Sequence, residues 1–269
     1  MVAYAHRVSS PSATFVVWSS AWLSGVAAAD DVLDALQDWA EAHEVCAADV
    51  GTSATMDIPA RGEQPGHLAE LLAALRRAGA GDGRLVLPVP GDVRGLGTSS
   101  AFAADALHTG EAAVHGALGI VPELVAEGVL RWTVFDLSTP PPAHAVPLGE
   151  AEHELTGAMR VAAGLLTELG VAKHRTGVRE ELRERVAAVT QVRWPEGMPQ
   201  RALRVLQRAT EVSAILDLAG EDEPGGALSA SAAMKRADAL RPLFDAVRTA
   251  RCAAIDEAVR TLSNHADRH

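Results

Sequence analysis

Leu85–Phe102 reads LVLPVPGDVRGLGTSSAF, and its reading decides the fold. Arg84–Val89 is rich in branched apolar residues and predicts a β-strand, with Pro88 marking its end or an edge position. Gly91–Ser100 follows as a glycine-rich loop. From Ser100 to about Gly116 the chain is alanine-rich and predicts a helix. A strand that passes through glycines into a helix is the repeating unit of a layered α/β structure.

Working outward, the same alternation continues. Leu68–Ala78 (LAELLAALRRA) has apolar residues at helical spacing and stops at Arg76, Arg77 and Gly79, as a helix end should. The stretch before it, Thr52–Gly66, reads as a loop. Val45–Val50 suits a short strand, Asp30 to about His43 a helix, and Thr14–Trp18, which is β-branched and aromatic, a further strand. Downstream, Val129–Leu137 (VLRWTVFDL) alternates as a strand does, and Gly119–Val125 is its expected hairpin partner. The prediction is an α/β fold, a mixed and partly parallel sheet with flanking helices, followed by an all-α C-terminal region.

The boundary is expected near Pro147, where Thr139–Pro147 (TPPPAHAVP) makes a stiff connector. Beyond it every segment reads helical: 149–170, 177–192, 199–219 and 228–262, the last kinked or split at Pro242. The expected organisation is an α/β domain over 1–147 and a helical subdomain over 148–269 packed on it. Charge changes at the same place. Residues 1–148 carry 7 basic and 17 acidic side chains, whereas 149–269 carry 17 and 18, within a net charge of −11 for the chain.

Composition excludes several classes. A hydrophobic fraction of 48% is enough for a core, so extended disorder is not expected. The acidic balance repels a phosphate backbone, and few aromatic side chains accompany the arginines, so nucleic acid is not expected as a partner. The two cysteines, Cys46 and Cys252, supply no disulfide framework and read as buried thiols of a reducing compartment. No run of 18 apolar residues is present, so no membrane partner is expected. Three serines and a glycine interrupt Ala13–Ala29, which therefore reads as folded chain rather than a secretory signal. The expected location is cytoplasmic.

Two constellations could carry chemistry. In the first, Gly91, Gly95 and Gly97 would let backbone amides approach an anion at a helix N-terminus. Arg94 would clamp a phosphate or carboxylate there, and Thr98, Ser99 and Ser100 would add hydroxyls. The spacing matches neither the dinucleotide fingerprint nor the Walker loop, so the competing reading is a connection whose serine caps a helix. In the second, His108, Glu111 and His115 fall within roughly 60° of one another on the expected helix and could ligate a metal. Glu150 and His153 form a further E-x-x-H pair. G-x-S-x-G, S-x-x-K and H-E-x-x-H are all absent from the sequence.

Arg201, Arg204 and Arg208 recur at helical spacing, as do Arg175, Arg179 and Arg183. Interleaved acids such as Glu180, Glu184 and Glu211 make ion-paired, solvated faces the plain reading. Docking onto the acidic N-terminal portion, of the same chain or a neighbour, is the functional one. Trp18, Trp22 and Trp39 read as core or interface anchors.

The segments LVLPVPGDVRGLG, GEAAVHGALGIVPE and VLRWTVFDL, with the Ala/Arg-rich helices after them, resemble uncharacterised proteins of high-GC actinobacteria. That resemblance implies no activity, cofactor or site residue. The expected function is a non-catalytic, self-associating or partner-binding protein, with a homodimer as the default assembly. The alternatives are a small-anion ligand-binding protein or enzyme using Gly91–Ser100, and a metal-dependent enzyme. The residues name no cofactor.

Overall fold

The computed structural model describes residues 10–168, 192–221 and 230–266. They form two compact units. Of the described residues, one holds 10–145, 192–199 and 255–266; the other holds 146–168, 200–221 and 230–254.

The first unit is built on a five-stranded sheet in the order β1-β5-β4-β3-β2. Its strands are β1 (Ala42–Ala47), β2 (Gly83–Val86), β3 (Ala112–His115), β4 (Leu118–Ala126) and β5 (Val129–Asp136). β1 and β5 run parallel and the other neighbours are antiparallel. The mixed sheet with flanking helices is thus the fold that the sequence predicts. The helices of this unit are α1 (Pro11–Leu23), α2 (Ala29–Gln37), α3 (Val50–Met56), α4 (Leu68–Arg77) and α5 (Ser100–Thr109).

Besides α2, which ends at Gln37 and leaves His43, expected at the end of that helix, in β1, three local readings differ from expectation. Thr14–Trp18 lies inside helix α1 and is not a strand. Ser10 starts that helix by accepting a hydrogen bond from the Ala13 amide at 3.1 Å, and Pro11 occupies the first turn, where a missing N–H costs nothing. Phe15, Val16, Val17 and Ala21 are all fully buried, so α1 is enclosed and shows no amphipathic period to read. Second, the segment Thr52–Gly66 begins with α3, capped by the Asp49 carboxylate on the Thr52 amide at 2.8 Å.

Third, α5 stops at Thr109. Gly110 adopts φ 78°, a left-handed backbone that closes the helix through a 2.8 Å bond from its amide to Ala106. Ala112–His115, expected as helix, becomes β3 because β2 and β4 flank it and take its backbone hydrogen bonds. Pairing across a sheet overrides the helical bias of two alanines.

The sheet has two different faces. Phe15 of α1 packs on Trp132 at 5.2 Å between ring centroids and on His115 at 5.7 Å. On the opposite face α5 closes a second cluster of Val86, Leu96, Phe102, Ala106, Val114, Val121 and Phe135. Phe102 can lie flat there because β4 carries glycine beneath it. A methyl group on Gly119 would sit 2.6 Å from the Phe102 ring.

The second unit is helical: α6 (Leu148–Glu168), α7 (Gln200–Glu221) and most of α8 (Ala230–Ala266). Pro242 lies within the single element α8. The helix expected over 177–192 falls, except for its last residue, outside the described residues, as do Arg175, Arg179, Glu180, Arg183 and Glu184. No helix among the described residues is long and apolar enough to cross a membrane.

Two buried titrating groups give opposite pH dependences. Burial pushes the His115 imidazole down to about 4, against small opposing effects of its bond to the Gly81 carbonyl and of Asp82. The unfolded chain therefore takes up this proton first, and stability falls as pH drops from about 6.5 towards 4 by up to about 3 kcal/mol. On α8, burial raises the Asp256 carboxyl to about 6, with Arg84 pulling the other way. Here the folded state holds the proton, and stability falls as pH rises from about 3.8 through 6. Urea titrations between pH 4 and 8 should show His115→Gln losing the first slope and Asp256→Asn losing the second. A Gly119→Ala variant should be destabilised by about 1–3 kcal/mol through overpacking against Phe102, measured as a shift in urea midpoint.

Candidate functional site

The Gly91–Ser100 loop is folded back on itself. Gly91, Gly95 and Gly97 take φ of 91°, 83° and 70°, which is why glycines occupy those positions. Leu96 anchors the loop in the α5 cluster. The Val89 and Asp92 backbones exchange two hydrogen bonds, and the Leu96 amide donates to the Val93 carbonyl. Arg94 donates Nε and Nη2 to the two oxygens of Asp92, both at 2.7 Å, and its Nη1 lies 3.1 Å from His144 Nε2. Ser99 caps α5 by accepting from the Phe102 amide, while Thr98 and Ser100 face outward. The residues named from the sequence stand together, with the Arg94 charge matched by Asp92.

His108, Glu111 and His115 are not brought together. Only His108 lies on α5; its side chain is 74% exposed and its Nε2 is 3.7 Å from Glu123 Oε1. Glu111 is buried at the start of α1, accepting from the Ser10 hydroxyl at 2.6 Å and the Ser12 amide at 2.9 Å. A carboxylate there meets the positive end of the helix dipole. His115 lies on β3 on the α1 side of the sheet, with Nε2 3.0 Å from Ser19 Oγ and Nδ1 3.0 Å from the Gly81 carbonyl. Among the described residues no group of three or more His, Cys, Asp or Glu side chains is placed to hold a metal. Glu150 and His153 lie on α6, in the other unit.

The arginine row on α7 has a different setting. Arg201 donates Nε and Nη2 to Glu152 Oε2 of α6, at 3.1 and 2.9 Å. Beyond that pair α6 and α7 enclose a groove of about 250 Å³, lined by Glu152, Leu155, Arg204, Val205, Gln207, Arg208 and Glu211. Leu155 and Val205 form its apolar floor, at 0% and 2% exposure. Gln207 donates to Glu211 at 3.0 Å. Arg204 and Arg208 are exposed, one helical turn apart, and neither makes an ion pair among the described residues. Val161 of α6 and Ile215 of α7 are exposed large apolar residues of the same two helices.

Sequence spacing finds the arginines but not the groove. Leu155 and Glu152 belong to a helix some fifty residues earlier, and no periodicity within α7 points to them. Of the tryptophans, Trp22 is buried with the Arg76 guanidinium 4.4 Å above its ring. Trp18 donates to the Arg193 carbonyl at 2.9 Å.

Comparison with known proteins is consistent in both parts of the chain. Residues 12–147 match the family model described as Rv1486c-like protein, N-terminal domain, and residues 149–252 match its C-terminal domain. The chain is 39% identical over 280 residues to "Uncharacterized protein Rv1486c" of Mycobacterium tuberculosis, covering 91% of this chain and 96% of that protein. It is 35% identical over 286 residues to "Uncharacterized protein ML1804" of Mycobacterium leprae, and 32% identical over 294 residues to "Uncharacterized protein MAV321" of Mycobacterium avium, with the same coverage. No solved structure matches it. With a separate domain model matched on each side of the connector and relatives that align along nine-tenths of its length, the chain belongs to the Rv1486c-like family of actinobacterial proteins.

Proposed function

We propose that this chain is a non-catalytic protein that self-associates, with the α6–α7 groove of one copy receiving the acidic face of α2 from another. The observation that carries this reading is the pair Arg204 and Arg208, two exposed guanidiniums without ion-pair partners among the described residues, above an apolar floor. Asp30 and Asp34 on α2 are also exposed and also one turn apart, so the two pairs have the same spacing on two helices.

Charge supports the direction of docking, because residues 1–148 carry ten more acidic than basic side chains. Exposed ion pairs contribute little energy each, about 0–1 kcal/mol, so they orient the contact and make it salt-sensitive. Burial of the exposed Val161 and Ile215 side chains of the same two helices supplies the rest.

The anion reading of Gly91–Ser100 requires Arg94 to exchange both oxygens of Asp92 for a ligand. The metal reading requires three residues from separate places to converge.

Light scattering coupled to size exclusion tests the proposal. A dimer is expected at about 100 μM protein in 150 mM salt, weakening at 500 mM as the pairs are screened. Arg204→Glu with Arg208→Glu should be monomeric, and mixing it with Asp30→Lys/Asp34→Lys should restore association. A monomer under all these conditions overturns the reading, as does a dimer indifferent to both charge reversals.

A further inference from the structure

We propose that a second, smaller cavity, on the α5 side of the sheet, binds a small zwitterion of amino-acid size through its carboxylate and its ammonium group. The site belongs wholly to the sheet-containing unit and is independent of the α6–α7 groove.

The register of the sheet creates it. Cys46 of β1, Thr133 of β5 and Val121 of β4 are direct neighbours across three strands. Val121 closes the apolar cluster under α5, and at Thr133 the face turns polar. Thr133 is 3% exposed, yet among the described residues its hydroxyl has one hydrogen-bonding partner, the Cys46 sulfur at 3.7 Å. A thiol is a weak partner, so a buried hydroxyl with unused capacity lines the cavity. The cavity above it measures about 190 Å³ and is walled by Arg61, Asp105, His108 and Glu123.

The walls divide by charge. Arg61 donates Nη2 to Asp105 at 2.6 Å, and this bond lifts its pKa above the ordinary arginine value. The guanidinium is therefore permanently positive and has further N–H donors, enough to take a carboxylate as well. Glu123 is the counterpart. Its neighbour His108 lies at 3.7 Å, beyond a good hydrogen bond, so the carboxylate keeps acceptors for an ammonium group. Thr133 can donate or accept between them.

This arrangement selects by charge pattern. Phosphate or a dicarboxylate meets Glu123 and Asp105; a diamine meets Arg61. The volume lies below the roughly 300–1,000 Å³ of pockets for drug-sized ligands, which limits the guest to amino-acid size.

Calorimetric titration and thermal shift with the free L-amino acids, one at a time, test the assignment, with ethylamine, acetate and inorganic phosphate as controls that carry charge of one sign only. At least one amino acid should bind with 1:1 saturation and raise Tm by ~2 °C or more at ten times its Kd. The controls should not. Arg61→Gln and Glu123→Gln should each weaken binding about ten-fold or more, since each removes a charge-assisted contact. Thr133→Val should weaken it also. Circular dichroism establishes that each half-exposed wall variant is folded, and Arg204→Glu/Arg208→Glu should bind as the unaltered protein does. The assignment is overturned if no amino acid binds, if ethylamine or acetate binds equally well, or if both wall variants retain full affinity.

Discussion

Helix α1 has no polar side wide enough to face water, and such a helix has to be enclosed. Phe15, Val16, Val17 and Ala21 point in different directions around it and all are fully buried. One face of the sheet supplies Trp132 and His115, while α2 and the β2 region cover other sides. The polar groups that enter with α1 have to be matched inside the protein. Glu111 meets the first turn, Ser19 meets the His115 ring, and Ser20 takes the Gly83 amide at 2.9 Å. His115 consequently stays neutral, and Gly83 stays a glycine, because a methyl group there would lie 2.4 Å from the imidazole.

Enclosing α1 on one face leaves the other face free to be mixed. Phe102 and Ala106 of α5 cover only part of it. Further across, the register brings Glu44 beside Arg131, whose Nε and Nη2 both donate to Glu44 Oε2, and Thr133 beside Cys46. Polar side chains collect where the covering helix runs out, between strands that parallel pairing of β1 with β5 holds together. That is a general reason for chemistry to sit at the margin of a packed face rather than in its centre.

The helical unit carries its polarity differently. Small residues such as Ala151, Ala202 and Ala209 let helices approach, and longer side chains at the margin open grooves. The Arg201–Glu152 pair closes one end of the α6–α7 groove, and the next two arginines of the row are left facing outward. A row that looks uniform in sequence is thus one structural residue and two available ones.

The residues by themselves determined most of the elements whose pattern has a period. Leu68–Ala78 is a helix, Gly119–Val125 and Val129–Leu137 form a hairpin, and the C-terminal segments that are described are helical, because each repeats its apolar residues at 3.6 or 2. Tertiary structure decided the rest. A fully buried helix and a buried strand both read as an apolar run, so Thr14–Trp18 reads as a strand although it lies in a helix, and Ala112–His115 became a strand only because two neighbours needed its backbone. The sites were least legible of all. Arg94 and Asp92 are two residues apart, yet nothing in their spacing says that they face each other. Cys46, Thr133 and Glu123 stand close because strands from distant positions lie side by side in register, and Arg61 from the connection between α3 and α4 meets Asp105 of α5 beside them, contacts that no local pattern sets.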